Sequence, residues 1–216
     1  MEKSMYTQPE TAFTEIDRKF LFSSRLTALL EQSAARHDHL CPRQVLGVRM
    51  GLAGLAAIGL PSPMPPKAAV VIIETDGCFA DGIEVASGAT IGHRTLRVKD
   101  FGKAAATFAN VRTGEAVRLA PQAGVRERVL CYVPETMQTY EAQLNGYQVM
   151  PEAELFRFQP VLLTPSLDVI LSRPGLRVTC ERCGEEIINA REVWLEGEIL
   201  CADCAGERYY RLSRTP

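Results

Sequence analysis

The stretch Pro42–Thr75, PRQVLGVRMGLAGLAAIGLPSPMPPKAAVVIIET, decides the architecture. Its first half, Pro42–Leu60, reads as a helix. Pro42 suits the first helical position, where an amide would have no intrahelical acceptor, and Gly59 with Pro61 supplies the stop. Gly47, Gly51 and Gly54 leave that helix a thin face on which another backbone can come close. Four prolines between Pro61 and Pro66 stiffen the connection that follows. The segment AAVVIIET, Ala68–Thr75, is short, apolar and β-branched, which predicts a buried strand.

Upstream, Phe13, Ile16, Phe20, Leu26, Leu29 and Leu30 recur at helical spacing and predict an amphipathic helix over Thr11–Arg36. Downstream, Phe79–Ser87 reads as a short helix and Pro134–Asn145 as another. Between them Thr95–Val98, Ala104–Asn110, Ala116–Ala120 and Val129–Val133 read as strands separated by turns. The class is therefore α+β, a core of helices packed on a mostly antiparallel sheet. The chain has 216 residues, is 46% hydrophobic and has a net charge of −2, enough apolar matter for a real core and too little positive charge for a dedicated nucleic-acid binder. The longest apolar stretch, around Met50–Leu60, is about 11 residues, against the roughly 18 of a membrane span. Met1–Glu10 is polar and lacks a signal peptide's apolar core. A cytoplasmic location is the expectation, and disulfides are rare there.

Seven cysteines then need another role. Four of them read Cys180-Glu-Arg-Cys183, then seventeen residues, then Cys201-Ala-Asp-Cys204. Each C-x2-C turn aims two sulfurs at one point, and two such turns close a tetrahedron around Zn2+. Gly184 follows the first pair, where a tight knuckle needs positive φ. Four protein thiolates leave no open position, so this zinc is expected to be structural. The intervening residues suggest two short strands turning at Glu196-Gly197, with Trp194 as core aromatic. The expected organisation is a core domain over residues 1–165, a linker over 166–178 and a small treble-clef or ribbon-like zinc finger over 179–216. From Arg173 onward there are seven arginines and eight acids. Thiolates add further negative charge, so protein contact is expected of this module rather than phosphate binding.

A second constellation is His37-Asp38-His39-Leu40-Cys41-Pro42. Pro42 biases Cys41 away from helical geometry. In an extended elbow His37, His39 and Cys41 face one way, a pattern suited to a metal or a catalytic cluster. Cys41 would also cap the next helix, where amide dipoles favour thiolate. Cys78 follows the Thr75-Asp76-Gly77 turn in a related setting, and Asp81 lies one turn beyond it. Cys131, in an apolar run, reads as a core residue.

These residues also resemble a known family. HDHLCPRQVLGVRM, His37–Met50, is similar to the H-x-H-x-C-P-x-x-x-x-G opening of the FmdE family, named for a component of formylmethanofuran dehydrogenase. ETDGCFADGIEVASGATIG, Glu74–Gly92, resembles its E-x-D-x-C-x-x-D segment and following turn. LRVKDFGKAAATF, Leu96–Phe108, resembles its D-y-G-K strand, and weaker similarity continues through MPEAELF to the C-E-R-C finger that some members carry. The resemblance implies an α+β core, intertwined homodimers, and site residues at His37, His39, Cys41, Cys78, Asp81 and Lys103. The family's turn cysteine is Ala89 here, and its next turn is Gly92-His93-Arg94. Three functions follow as expectations. The first is a metal-binding protein with a second transition metal in the core cleft, serving molybdenum or tungsten enzyme subunits. The second is an enzyme with Cys41 or Cys78 as nucleophile. The third is an interaction module working through its finger.

Overall fold

The protein is described by a computed structural model over residues 15–171 and 175–211. The chain divides between Val161 and Leu162 into two compact units. The expected helix start at Thr11–Thr14, with Phe13, lies outside the described residues, as do the side chains of Ile16 and Phe20 and, in the expected linker, Pro174.

Helix α1 spans Glu15–Ala34 and α2 spans Pro42–Ala57. Leu26, Leu29 and Leu30 are buried on one stripe of α1, as their spacing predicts. α2 ends three residues before the expected limit at Leu60. The Gly59 amide donates to Ala56 O and the Leu60 amide to Leu55 O, with Gly59 at φ +70°. That left-handed closure satisfies two terminal carbonyls and turns the chain out of the helix.

After β1 (Ala69–Ile73), helix α3 (Cys78–Ser87) packs directly on α2. Gly47 meets Phe79 and Gly82, while Gly51 meets Ile83 and Ala86, so the two helices run parallel. A Cβ on Gly51 would stand 2.6 Å from that of Ala86, and one on Gly82 would stand 2.5 Å from Gln44 O and 2.7 Å from Val48 N. Gly54 receives the Phe108 ring. The thin face of α2 is thus filled from within the chain by α3 and Phe108.

Strands β2 (Leu96–Val98), β3 (Ala106–Asn110), β4 (Ala116–Pro121) and β5 (Phe156–Pro160) complete a sheet in the order β2-β1-β3-β4-β5. Only β1 with β2 is parallel. Val71, Ile73, Phe108 and Leu119 share the face that closes the core with Val48, Leu55, Phe79 and Ile83. β5 escaped notice in the sequence because Arg157 and Gln159 alternate outward on an edge that ends in Pro160. Val129–Val133 is not a strand. It continues a helical turn, α4 (Val125–Arg128), as a 3-10 turn over Val129–Tyr132. Such a turn sends one residue in about three or four inward. Val129 takes that place against Gly146, and Cys131 is exposed rather than core.

Helix α5 spans Thr139–Val149, later than the expected Pro134–Asn145. Its C-terminus is held by Arg49 of α2, whose guanidinium donates to Tyr147 O (2.7 Å), Gln148 O (3.1 Å) and Met150 O (3.0 Å). A short turn, α6 (Glu152–Leu155), leads into β5. No helix among the described residues is long and apolar enough to cross a membrane.

In the second unit, α7 (Leu167–Leu171) precedes two antiparallel hairpins, β6 (Arg177–Thr179) with β7 (Glu186–Ile188), and β8 (Val193–Leu195) with β9 (Glu198–Leu200). The β8–β9 turn has Glu196 at φ +53° and Gly197 at φ +91°, the mirror-image turn that matches strand twist. Gly184 is at φ +76°, as its knuckle position requires. Trp194 is not the core aromatic: it is 67% exposed, and Cys180, Ile187 and Leu200 form the small core instead. Two-stranded hairpins enclose too little volume for an indole.

Candidate functional site

The parallel packing of α2 and α3 sets their N-termini side by side. Cys41 caps α2 in extended geometry, and Cys78 opens α3 after Gly77 at φ +70°. The elbow is braced through Gln44, whose Oε1 accepts the Cys41 amide at 2.8 Å while its Nε2 donates to Ser33 O at 2.8 Å. Cys41 is buried and Cys78 half-buried. Both line a cavity of about 420 Å³ with His39, Arg43 and Leu46. Its opposite wall carries Arg126 after α4's start and Tyr140, Gln143 and Tyr147 from α5. The Tyr140 hydroxyl donates to Leu40 O at 3.5 Å and ties that wall to the elbow.

Burial pushes the Cys78 thiol up from its ordinary value, and the neighbouring Cys41 thiol adds to this through a hydrogen bond and its charge. The local backbone pulls down and is outweighed. The expectation of a thiolate at this helix start is therefore reversed: desolvation and a second thiol exceed the dipole.

The six residues grouped by the sequence occupy three places. His39, Cys41 and Cys78 line the cleft. His37 turns away from it: its Nε2 lies 2.5 Å from Asp81 Oδ2. Arg36 joins Glu84 (2.5 Å) and Asp81 (3.6 Å) in the same cluster, which fastens the end of α1 to α3. Lys103 lines a separate cavity of about 720 Å³ with Glu74, Phe101, Arg118, Arg157 and Gln159. There buried Glu74 accepts two bonds from Arg118, at 2.5 and 2.7 Å. Arg43, Arg126, Tyr140, Gln143 and Tyr147 were missed as cleft residues. Only Arg43, beside the Cys-Pro elbow, carried a local signal.

The four C-terminal cysteines converge. Their sulfurs lie within 4.8 Å of one another, and Cys183 and Cys201 are 3.9 Å apart. A zinc tetrahedron with bonds of about 2.3 Å has edges of about 3.8 Å. The Cys201 amide points at Cys180 Sγ (3.3 Å) and the Cys204 amide at Cys201 Sγ (3.4 Å), as thiolate acceptors require. The Cys183 amide does most to hold the Cys180 thiol down at about 6. Burial, then the neighbouring thiols, push Cys204 up to about 12. Without metal the cluster retains protons that a zinc ion would displace. Among the described residues, no other group of three or more His, Cys, Asp or Glu donors converges this way, the cleft trio included.

Comparison with known proteins places these features. The family described as "FmdE, Molybdenum formylmethanofuran dehydrogenase operon" matches residues 36–159, and the prokaryotic dksA/traR C4-type zinc finger matches residues 174–210. A curated relative, the "Probable S-adenosyl-L-methionine-binding protein" of Archaeoglobus fulgidus, is 26% identical over 220 residues, covering 88% of this chain. The chain spans 56% of that relative's length. The crystal structure of a tungsten formylmethanofuran dehydrogenase FmdE-like protein from Syntrophus aciditrophicus is 20% identical and covers 86% of this chain and 95% of its own. Its TM-score of 0.50 indicates a shared fold.

Proposed function

The chain belongs to the FmdE family, and from that premise we propose that it handles a soft transition metal at the cleft of His39, Cys41 and Cys78, as an accessory to a molybdenum or tungsten oxidoreductase. One observation carries the reading. Glycine-mediated contact between α2 and α3 brings two thiols, 37 positions apart in sequence, to the same cavity wall as an imidazole. Thiolates and neutral imidazole are ligands for zinc, iron, nickel or copper. The zinc finger is the closed, structural counterpart, and the cleft keeps space for cargo to enter and leave.

Metal binding here displaces the protons of Cys41 and Cys78. A thiol held up by burial resists that loss, so affinity rises with pH. The same raised thiol speaks against a cysteine nucleophile, which needs thiolate near neutrality. The working unit is proposed to be a homodimer, tested by its mass in solution.

The test is metal content after titration with Co2+ of the zinc-loaded full chain. Wild type is expected to take up one equivalent beyond zinc, and Cys41→Ser/Cys78→Ser to lose it. Equal uptake by both proteins would defeat the reading. S-adenosylmethionine, the ligand in the relative's name, is the control. If it binds the cleft and cobalt does not, the protein is a small-molecule binder instead.

A further inference from the structure

We propose that cargo reaches this cleft as a tetrahedral metal oxyanion, molybdate or tungstate, rather than as a bare divalent cation. The inference rests on the metal-handling reading above and deepens it.

The carrying observation is the charge of the cavity wall. Arg43 and Arg126 both line it, and no carboxylate does. Both arginines are exposed, and neither makes an ion pair or side-chain hydrogen bond among the described residues. Two acids whose fields reach lining residues are engaged or opposed. Asp81, whose field reaches Cys78, is held by Arg36 and His37. Glu127, whose field reaches Tyr147, is opposed there by Arg126. The parallel arrangement of α2 and α3 directs two positive helix ends toward the same side as these guanidinium groups.

A divalent cation entering this space meets two arginines and no carboxylate in the lining. The same lining attracts a dianionic oxyanion. Guanidinium groups present planar, doubly donating forks to tetrahedral oxygens. Gln143, which lines the same cavity, supplies a neutral donor. The thiols of Cys41 and Cys78 line the same space.

The experiment is equilibrium dialysis of the zinc-loaded full chain against molybdate, tungstate, sulfate, phosphate and Co2+, in separate arms. Wild type is expected to bind about one equivalent of molybdate or tungstate. Arg43→Gln and Arg126→Gln are each expected to weaken that binding about tenfold, as loss of one charge-assisted contact does. Co2+ uptake should be unchanged or stronger in both. The single variants, at exposed positions, keep the test independent of folding, which far-ultraviolet dichroism checks. Cobalt bound at Cys41 and Cys78 with no oxyanion bound overturns the inference and leaves the metal reading standing. Absence of both defeats the metal reading as well. Sulfate or phosphate bound as tightly as molybdate overturns the metal-oxyanion assignment and marks the cleft as a site for phosphoryl or sulfuryl groups. Oxyanion binding untouched by either substitution also overturns it.

Discussion

The zinc finger and the core cleft both gather cysteines, and they do so by opposite means. In the finger, two C-x2-C turns place four sulfurs within 4.8 Å through local geometry, and the site is closed. In the cleft, Cys41 and Cys78 meet only because Gly47, Gly51 and Gly82 let two parallel helices touch. The first arrangement belongs to the chain's neighbourhood and the second to its packing. A site built by spacing suits a permanent ion, and a site built by packing leaves a cavity.

The largest expected effect separates the two directly. Structural zinc contributes about 10–16 kcal/mol in small fingers. Chelation, or Cys201→Ser, should therefore unfold the second unit while the first retains its structure, as amide resonances of residues 177–211 against those of 42–160 would show. Acid should act in the same way. Zinc requires thiolates, and the half-buried Cys204 thiol keeps its proton up to about 12 without metal, so affinity falls as pH falls. Loss of core resonances along with the finger's would show that the units are not separable.

Within the core, Arg49 should matter next. Its guanidinium is buried and holds three carbonyls at the end of α5, the helix that carries the cleft's tyrosines. Arg49→Met leaves those carbonyls without their donor, at a cost of about 3–5 kcal/mol in urea unfolding. Metal uptake at the cleft should weaken with it, and zinc content should not. A loss under 1 kcal/mol would mean that α5 is held by apolar contact alone.

Gly82→Ala tests the helix contact itself. The added Cβ meets Gln44 O and Val48 N, both backbone atoms, so neither neighbour can rotate away. Overpacking of this kind costs about 1–3 kcal/mol. The cleft should lose cobalt affinity, since any separation of α2 from α3 moves Cys41 from Cys78. Unchanged stability together with unchanged affinity would show that the two thiols are positioned by something else.

What was legible in the sequence follows the same division. Short-range patterns read correctly: the C-x2-C pairs, Gly184, the Glu196-Gly197 turn, and α2 with its proline start and glycine stop. Patterns that depend on a distant partner did not. Nothing local announces that Arg49 caps a helix 98 residues away, or that Tyr140 and Tyr147 face the cysteines. The Val129–Val133 run has strand composition, but one turn of helix against Gly146 fully buries Val129 and leaves Cys131 exposed. His37 and His39 share a spacing that suits one site, yet Asp81 lies within reach of His37 and takes it. The glycines of α2 were correctly read as a close-contact face, and the partner proved to be α3 of the same chain.

Trp194 gives the smallest expected effect and the sharpest check on where the finger's core lies. An aromatic in a 40-residue module is ordinarily its largest source of buried area, and its removal would cost several kcal/mol. Here the indole is 67% exposed while Cys180 and Leu200 are fully buried. The finger should therefore be held by its zinc and by Ile187 and Leu200. Trp194→Ser should change zinc affinity and chelator sensitivity by no more than about 0.5 kcal/mol, the usual range for a surface position. Leu200→Ala should cost about 2 kcal/mol or more. Because Trp194 is the sole tryptophan, its fluorescence reports the same point without mutation. Emission from the zinc-loaded protein should be solvent-like and open to acrylamide quenching, and chelation should move it little. A blue-shifted, protected emission would place the indole inside a core that the hairpin geometry leaves no room for.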